Sequence, residues 1–231
     1  MQTVYHDAKK MNLRLPWPQI ATVLLDMDGT LLDLRFDNHF WRELVPDRYA
    51  KLHGVSLERA RSEVAAHTQA VEGTLAWYCL DYWTRELRLD IVTLKHEIAH
   101  LIAVHPHVLD FLNALREAGK RVVLVTNAHP KSLALKMEKT RLVGYFDQII
   151  CAHTLGLVKE QAAFWPCLCA AERFEPARTL LVDDHPGILR AAQAYGIAYL
   201  VSVLRPDSTQ ISRTPGEFPA IHDFSDLLPV G

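Results

Sequence analysis

The sequence predicts an α/β fold: a Rossmann-like, doubly wound parallel sheet interrupted by an all-helical lobe. Three observations predict it. Short runs rich in Val, Leu and Ile recur at residues 21–25, 121–125, 146–151, 179–182 and 197–203, the pattern of strands buried on both faces. Segments with helical periodicity separate the later runs, which makes βαβ units and a parallel sheet. Between the first run and the second, residues 34–104 carry helical signals and no convincing strand, so a second lobe is inserted there.

Residues 1–17 read as a loosely attached extension, with Pro16 and Pro18 punctuating the chain before the first strand. The core then comprises residues 18–33 and 105–231. Residues 21–25 form the first strand, and Gly29 marks the turn after it, because glycine tolerates dihedrals that a sharp turn needs. In the inserted lobe, residues 37–52 are helix-compatible, with Pro46 as a break and Gly54 as a stop. Ser56 caps a helix to about residue 70, Thr74 caps one over 75–87, and Asp90 caps one to about residue 103. Pro106 suits the first turn of the next helix, whose apolar face is Val108, Leu109, Leu112 and Leu115 and whose end is Gly119. Pro130 opens a helix to about residue 140, and residues 160–173 read as a helix kinked by Pro166. Pro186 opens the last helix, Gly196 ends it, and the tail from Arg205 wraps the surface.

A chain of 231 residues can bury a sizeable core. Its formal net charge of −2 gives no footprint for a nucleic-acid polymer, and no apolar stretch is long enough to span a bilayer. Four cysteines, of which only Cys167 and Cys169 stand close together, make neither a disulfide scaffold nor a paired zinc-ligand pattern. They read as free thiols of a reducing compartment, the cytoplasm.

Four polar clusters fall where the chain leaves a strand or the loop after one: Asp26 and Asp28, Thr126 and Asn127, Lys159, and Asp183 with Asp184. In a parallel sheet these ends share one edge, where α/β proteins bind ligands. Asp-x-Asp-Gly alone is also an ordinary acidic turn; the four clusters together say more. Carboxylates, a hydroxyl, an amide and an ammonium match phosphoryl transfer, which asks for charge neutralisation and positioning. One carboxylate can attack and another can carry a proton. The carboxylates can also hold Mg2+, which takes oxygen ligands and shares them with phosphates. Thr126 and Asn127 can donate to phosphoryl oxygens, and Lys159 can pair with the same oxygens.

In order and spacing, Asp26-Met27-Asp28-Gly29-Thr30, Thr126 at a strand end, Lys159 and Asp183-Asp184 resemble the four motifs of the haloacid dehalogenase superfamily, across residues 22–203. The inserted helices resemble that family's C1-type cap. The resemblance implies that Asp26 is a nucleophile passing through an aspartyl-phosphate, and that Asp28 is the general acid, then base. It implies Mg2+ at Asp26, Asp28 (through its backbone carbonyl), Asp183 and Asp184, with Asp184 ligating and Asp183 assisting. Thr126 and Asn127 would bind phosphate, and Lys159 would stabilise it. Glu160 follows the lysine where many members carry proline.

Residues 26–41, 75–83 and 126–130 further resemble the bacterial GMP/IMP-type 5′-nucleotidases of the superfamily. That implies a purine 5′-mononucleotide as the small-molecule substrate. Phe36, Phe40, Trp41, Trp77, Tyr78, Tyr82 and Trp83 make the lobe aromatic. Aromatics stack on bases, but they also dominate burial, so most of these are expected to be the cap's own core. Asp37, Asn38, Trp41 and Asp81 are the residues singled out for substrate contact. The rival readings are a phosphatase or phosphomutase acting on a small sugar phosphate and a non-catalytic nucleotide-binding protein. A dehalogenase needs neither Asp28 nor a metal, so the full set argues against that branch.

His96-Glu97-x-x-His100 matches the zinc-protease pattern, in which two histidines one helical turn apart hold the ion. It falls in the inserted lobe, away from the strand ends, and reads as a chance match in a chain with 12 histidines. Lys131, Lys136, Lys139 and Arg141 are expected to form a solvated helix face.

Overall fold

The computed structural model describes residues 13–231. Among them, six parallel strands form one sheet: β1 (Thr22–Leu25), β2 (Arg121–Thr126), β3 (Gln148–Cys151), β4 (Thr179–Val182), β5 (Tyr199–Val203) and β6 (Ala220–Ile221). Their order is β3-β2-β1-β4-β5-β6. In register, Leu25 faces Leu124 of β2 on one side and Val182 of β4 on the other. Every residue of β1 and β4 is buried. Their side chains alternate between two cores: Val23, Leu25, Leu180 and Val182 pack on one face, Leu24 and Leu181 on the other. Both faces are therefore apolar, which is why these strands read as unbroken apolar runs. The chain leaves β1 for β2 on one side while β4 lies on the other. The strand order reverses between β1 and β4, and such a switch point opens a crevice for ligands.

Between β1 and β2 lies a lobe of helices: α1 (Arg35–His39), α2 (Val45–His53), α3 (Leu57–Val71), α4 (Leu75–Tyr78), α5 (Leu80–Leu87) and α6 (Ile91–Glu97). Phe36, Phe40 and Trp83 are buried in the lobe's own core, whereas Trp41 and Tyr82 are half-buried at its margin. The remaining helices are α7 (Val108–Glu117), α8 (Pro130–Thr140), α9 (Ala152–Leu155), α10 (Phe164–Glu172) and α11 (Pro186–Tyr195). Side chains of α7 and α8 join the core on one face of the sheet, those of α10 and α11 the core on the other. None of the described helices is long and apolar enough to cross a membrane.

Several expectations are corrected. Residues 1–12 of the expected extension lie outside the described residues, but Trp17 is no part of a loose segment. It is buried, 6.1 Å from the ring of Phe111, and Leu13 and Leu15 pack against the same core. Pro46 does not break its helix. Val45 N–H bonds Phe40 O, five residues back, and this π turn widens the helix where the proline lacks its own donor. The helix expected over 75–87 is two: the chain extends at Cys79, whose Sγ then accepts from Tyr82 N–H, while Thr74 Oγ1 instead donates to Val71 O. Pro166 is the third residue of α10, in the first turn, where its missing N–H leaves no helical bond unmade. β6 spans two residues, too short to show a period.

Candidate active site

β1 delivers Asp26 and Asp28 to the switch point, and β4 delivers Asp183 and Asp184 beside them. Carboxylate oxygens of Asp26, Asp183 and Asp184 lie within 4.8 Å of one another. Motif residues between them set that spacing. Thr30 Oγ1 accepts from the backbone N–H of Asp184 at 3.1 Å. Gly29, at φ +85°, brings its Cα against the Asp184 carboxylate so closely that a Cβ there would sit 2.8 Å from Asp184 Cγ. Gly29→Ala must therefore displace Asp184 and also strain the left-handed backbone by about 1–2 kcal/mol. A misplacement of this size costs about 10²-fold in turnover. Phosphate release by the folded variant measures it, and wild-type activity would refute the packing argument.

Lys159 is the counter-charge to this cluster. Its Nζ donates to Asp26 Oδ1, to Asp183 Oδ2 at 2.7 Å and to Val125 O at 3.1 Å, which uses all three donors. The loop carrying it is held from below: Asn127 Oδ1 accepts from Lys159 N–H at 3.0 Å, and Trp165 Nε1 donates to Lys159 O at 3.0 Å. Burial pushes Asp26 up to about 6, opposed by Lys159 and reinforced by Asp183. Burial also raises Asp183 against the pull of Lys159. Asp184 is raised well above the usual carboxylate range, first by burial and then by Asp183 and Asp26. Arg213 approaches it only at 3.3 Å from a half-exposed position. The two cations leave three buried carboxylates short of positive charge. An all-oxygen set of this kind suits a hard divalent cation. Thr126 Oγ1 accepts from Ala128 N–H at 3.0 Å, which leaves its hydroxyl proton to donate.

Above the strand ends, the lobe and the core enclose a cavity of about 750 Å³. Asp28, Asp37, Asn38, Trp41, Trp77 and Tyr78 lie on its wall. Two lysines organise the acidic part of that wall. Lys136 Nζ donates to Asp28 Oδ1 and Asp37 Oδ2, both at 2.6 Å, and Lys95 Nζ donates to Asp37 Oδ1 at 2.8 Å. Burial pushes Asp28 up to about 6, and the Lys136 ammonium opposes it. Burial acts on Asp37 in the same direction, but Lys136 and Lys95 together hold it below the usual range.

Sequence reasoning missed both lysines. Lys136 is 1% exposed and not on a solvated face. Five residues along a helix turn it by about 140°, so Lys131 and Lys136 point to different sides. Ser132 and Leu135, also buried, mark the inner stripe that Lys136 shares. Lys95 likewise continues the stripe of Ile91, Leu94 and Ile98, and its ammonium lies 4.4 Å from the Phe40 ring centre. A lysine on an apolar helical stripe was the legible signal in each case.

Of the residues singled out for substrate contact, Asn38 and Trp41 reach the cavity wall; Asn38 Nδ2 is held by Asp207 at 2.6 Å. Asp37 reaches it with both oxygens paired to lysines. Asp81 is exposed, and its carboxylate is spent on Lys131 at 2.6 Å. The side chain of Asn127 is spent on the core: besides Lys159, it donates to Glu160 Oε2 at 2.8 Å. Glu160 in turn accepts from Tyr78 O–H of α4 at 2.7 Å, so the residue that departs from the family's proline ties lobe to core. In the zinc-protease pattern, α6 ends at Glu97, which pairs with Arg48 at 2.8 Å, and both His96 and His100 are exposed. Neither belongs to a metal-capable cluster among the described residues.

A family model for haloacid dehalogenase-like hydrolases matches residues 20–196. The chain is 40% identical over 219 residues to the GMP/IMP nucleotidase YrfG of Escherichia coli K12, covering 95% of this chain and 99% of that protein. It is 28% identical to a phosphoglycolate phosphatase of Nitrosospira multiformis, over 80% of this chain and 83% of that one. A crystal structure of a HAD phosphatase from Thermococcus onnurineus superposes with a TM-score of 0.75 at 23% identity, covering 90% of this chain and 96% of that chain, a likeness of fold. With the motif residues gathered at one switch point and a family match that spans β1 to β4, the chain belongs to the haloacid dehalogenase-like hydrolases.

Proposed function

We propose that this protein is a Mg2+-dependent 5′-nucleotidase that releases phosphate from GMP and IMP. The observation that carries the reading is the cavity of about 750 Å³ that joins Asp28 to the aromatic wall of Trp41, Trp77 and Tyr78. That volume suits a ligand of nucleotide size, and the near full-length likeness to a GMP/IMP nucleotidase supports purines as the bases. Asn38 and Trp41 are the residues we assign to the nucleoside.

Asp26 attacks phosphorus, and the bond to the nucleoside 5′-oxygen breaks. Asp28 protonates that oxygen, then takes a proton from the water that hydrolyses the aspartyl-phosphate. A carboxyl pushed up toward neutrality serves both directions of that transfer, and Lys136 keeps its oxygen fixed. Thr126 donates to the transferring oxygens, and Lys159 offsets their charge. Asp26, Asp183 and Asp184 would hold Mg2+, which neutralises phosphoryl charge as it develops. The thiols are all free, in keeping with a cytoplasmic enzyme.

The test is phosphate release from GMP, IMP, AMP, UMP, sugar phosphates and an aryl phosphate, with Mg2+ and with EDTA. Release that favours GMP and IMP and is lost in EDTA is expected. Release from sugar phosphates in preference to nucleotides would overturn the assignment of the cavity.

A further inference from the structure

His153 is anomalous. Both of its ring nitrogens are buried, and neither has a hydrogen-bond partner among the described residues, although an unpaired buried polar group costs about 1–3 kcal/mol. It also sits in a cluster that the phosphatase chemistry does not use. One donor atom each of Cys79, His129 and His153 lies within 4.8 Å of the others. The two imidazoles meet edge to face, with centres 5.0 Å apart. Three separate elements supply them. Cys79 stands at the extended break between α4 and α5, His129 follows β2, and His153 lies in α9 directly after β3. β2 and β3 are neighbours in the sheet, so the two histidines rise from one edge to meet a residue of the lobe. Buried polar side chains are as a rule hydrogen-bonded, so this imidazole stands out from ordinary packing.

We propose that Cys79, His129 and His153 form a binding site for a borderline-soft divalent ion, Zn2+ in chemical class, which fastens the lobe to the core beside the catalytic cavity. A thiolate with two imidazoles is a zinc donor set, unlike the all-oxygen set of Asp26, Asp183 and Asp184. Burial holds both His129 and His153 below the ordinary histidine range, so each is neutral and offers a lone pair near pH 7. On binding, the S–H of Cys79 breaks, sulfur donates its pair to the ion and the proton leaves to solvent. The backbone N–H of Tyr82, 3.4 Å from Sγ, then supports the thiolate. His129 gives up one long contact, from Lys131 N–H to Nδ1 at 3.3 Å, whichever of its nitrogens binds. Donors around tetrahedral Zn2+ stand roughly 3.3–3.8 Å apart, so the three side chains need to close by no more than about 1 Å. Asp81 stays on Lys131, with its Oδ2 3.7 Å from His129 Nε2, so the protein supplies three ligands and the fourth position is left to water.

Co2+ is the probe, because a thiolate ligand adds a sulfur-to-cobalt charge-transfer band in the near ultraviolet that carboxylates cannot give. The reduced full-length protein is titrated with Co2+ in excess Mg2+. One equivalent should develop this band together with the visible absorption of a tetrahedral site, and added Zn2+ should bleach both. Cys79→Ser and His153→Gln should each lose the band, while a Cys167→Ser/Cys169→Ser variant keeps it. Circular dichroism and Mg2+-dependent phosphate release establish that each variant is folded, and near-isosteric Cys79→Ser decides if His153→Gln is not. No band in the wild-type protein would overturn the proposal. So would a band that survives Cys79→Ser, one that survives His153→Gln, or one lost only when Cys167 and Cys169 are changed. The readout is independent of nucleotide turnover, so the site and the nucleotidase reading fail separately.

Discussion

Asp26→Asn lowers the rate of phosphate release from GMP by at least about 10⁴-fold, the scale on which hydrolases lose turnover with their nucleophile. The fold should survive the change. The amide has nearly the same shape, and the carboxylate it replaces is held at a cost: burial and Asp183 push its pKa up to about 6 despite Lys159. Lys159 keeps Asp183 and Val125 O as partners. Thermal melting should therefore leave the variant near the wild-type protein or above it. Undiminished turnover in a folded variant would remove Asp26 from the mechanism.

Lys136→Met has the second large effect, and it acts on stability and pH together. The ammonium is buried between Asp28 and Asp37, and its side chain is 2% exposed. Removing one member of a buried ion network strands the others, at about 3–5 kcal/mol. Denaturant unfolding measures that loss. A solvated helix lysine would give a change within about 0.5 kcal/mol. The pH profile shifts as well. Lys136 draws the pKa of Asp28 down against the burial that raises it, so without Lys136 it climbs beyond about 6. As the proposed general acid, Asp28 must be protonated in the free enzyme, so the basic limb of kcat/KM is expected to move to higher pH. A variant with wild-type stability and an unmoved limb would show that Lys136 does not position the acid.

The sheet and the motif residues were legible because their physics is local. Strands covered on both faces must be apolar throughout, and each ends in the polar groups that the switch point needs. Gly29 was read as a turn residue, and the structure adds the second reason, a carboxylate packed on its Cα. What escaped depends on partners far along the chain. Lys136 looks like any lysine until Asp28 and Asp37, 108 and 99 residues away, are placed against it. Glu160 looked like a departure from pattern, yet it is the acceptor that Tyr78 and Asn127 share. Cys79 breaks a helix that its neighbours would continue, because there a sulfur caps the next one. Pro46 and Pro166 misled for two reasons: Pro46 sits behind a π turn that widens the helix where its donor is missing, and Pro166 lies in a first turn, where no N–H is bonded within the helix.

The most direct test of the nucleotidase account is kcat/KM for GMP beside that for phosphoglycolate, on one preparation with Mg2+. The two substrates share the phosphoryl group that the account assigns to the strand-end residues. They differ in whether anything fills the cavity bounded by Trp41, Trp77 and Tyr78. The account predicts that GMP is strongly preferred and that EDTA abolishes both activities. Equal or better turnover of phosphoglycolate would contradict it.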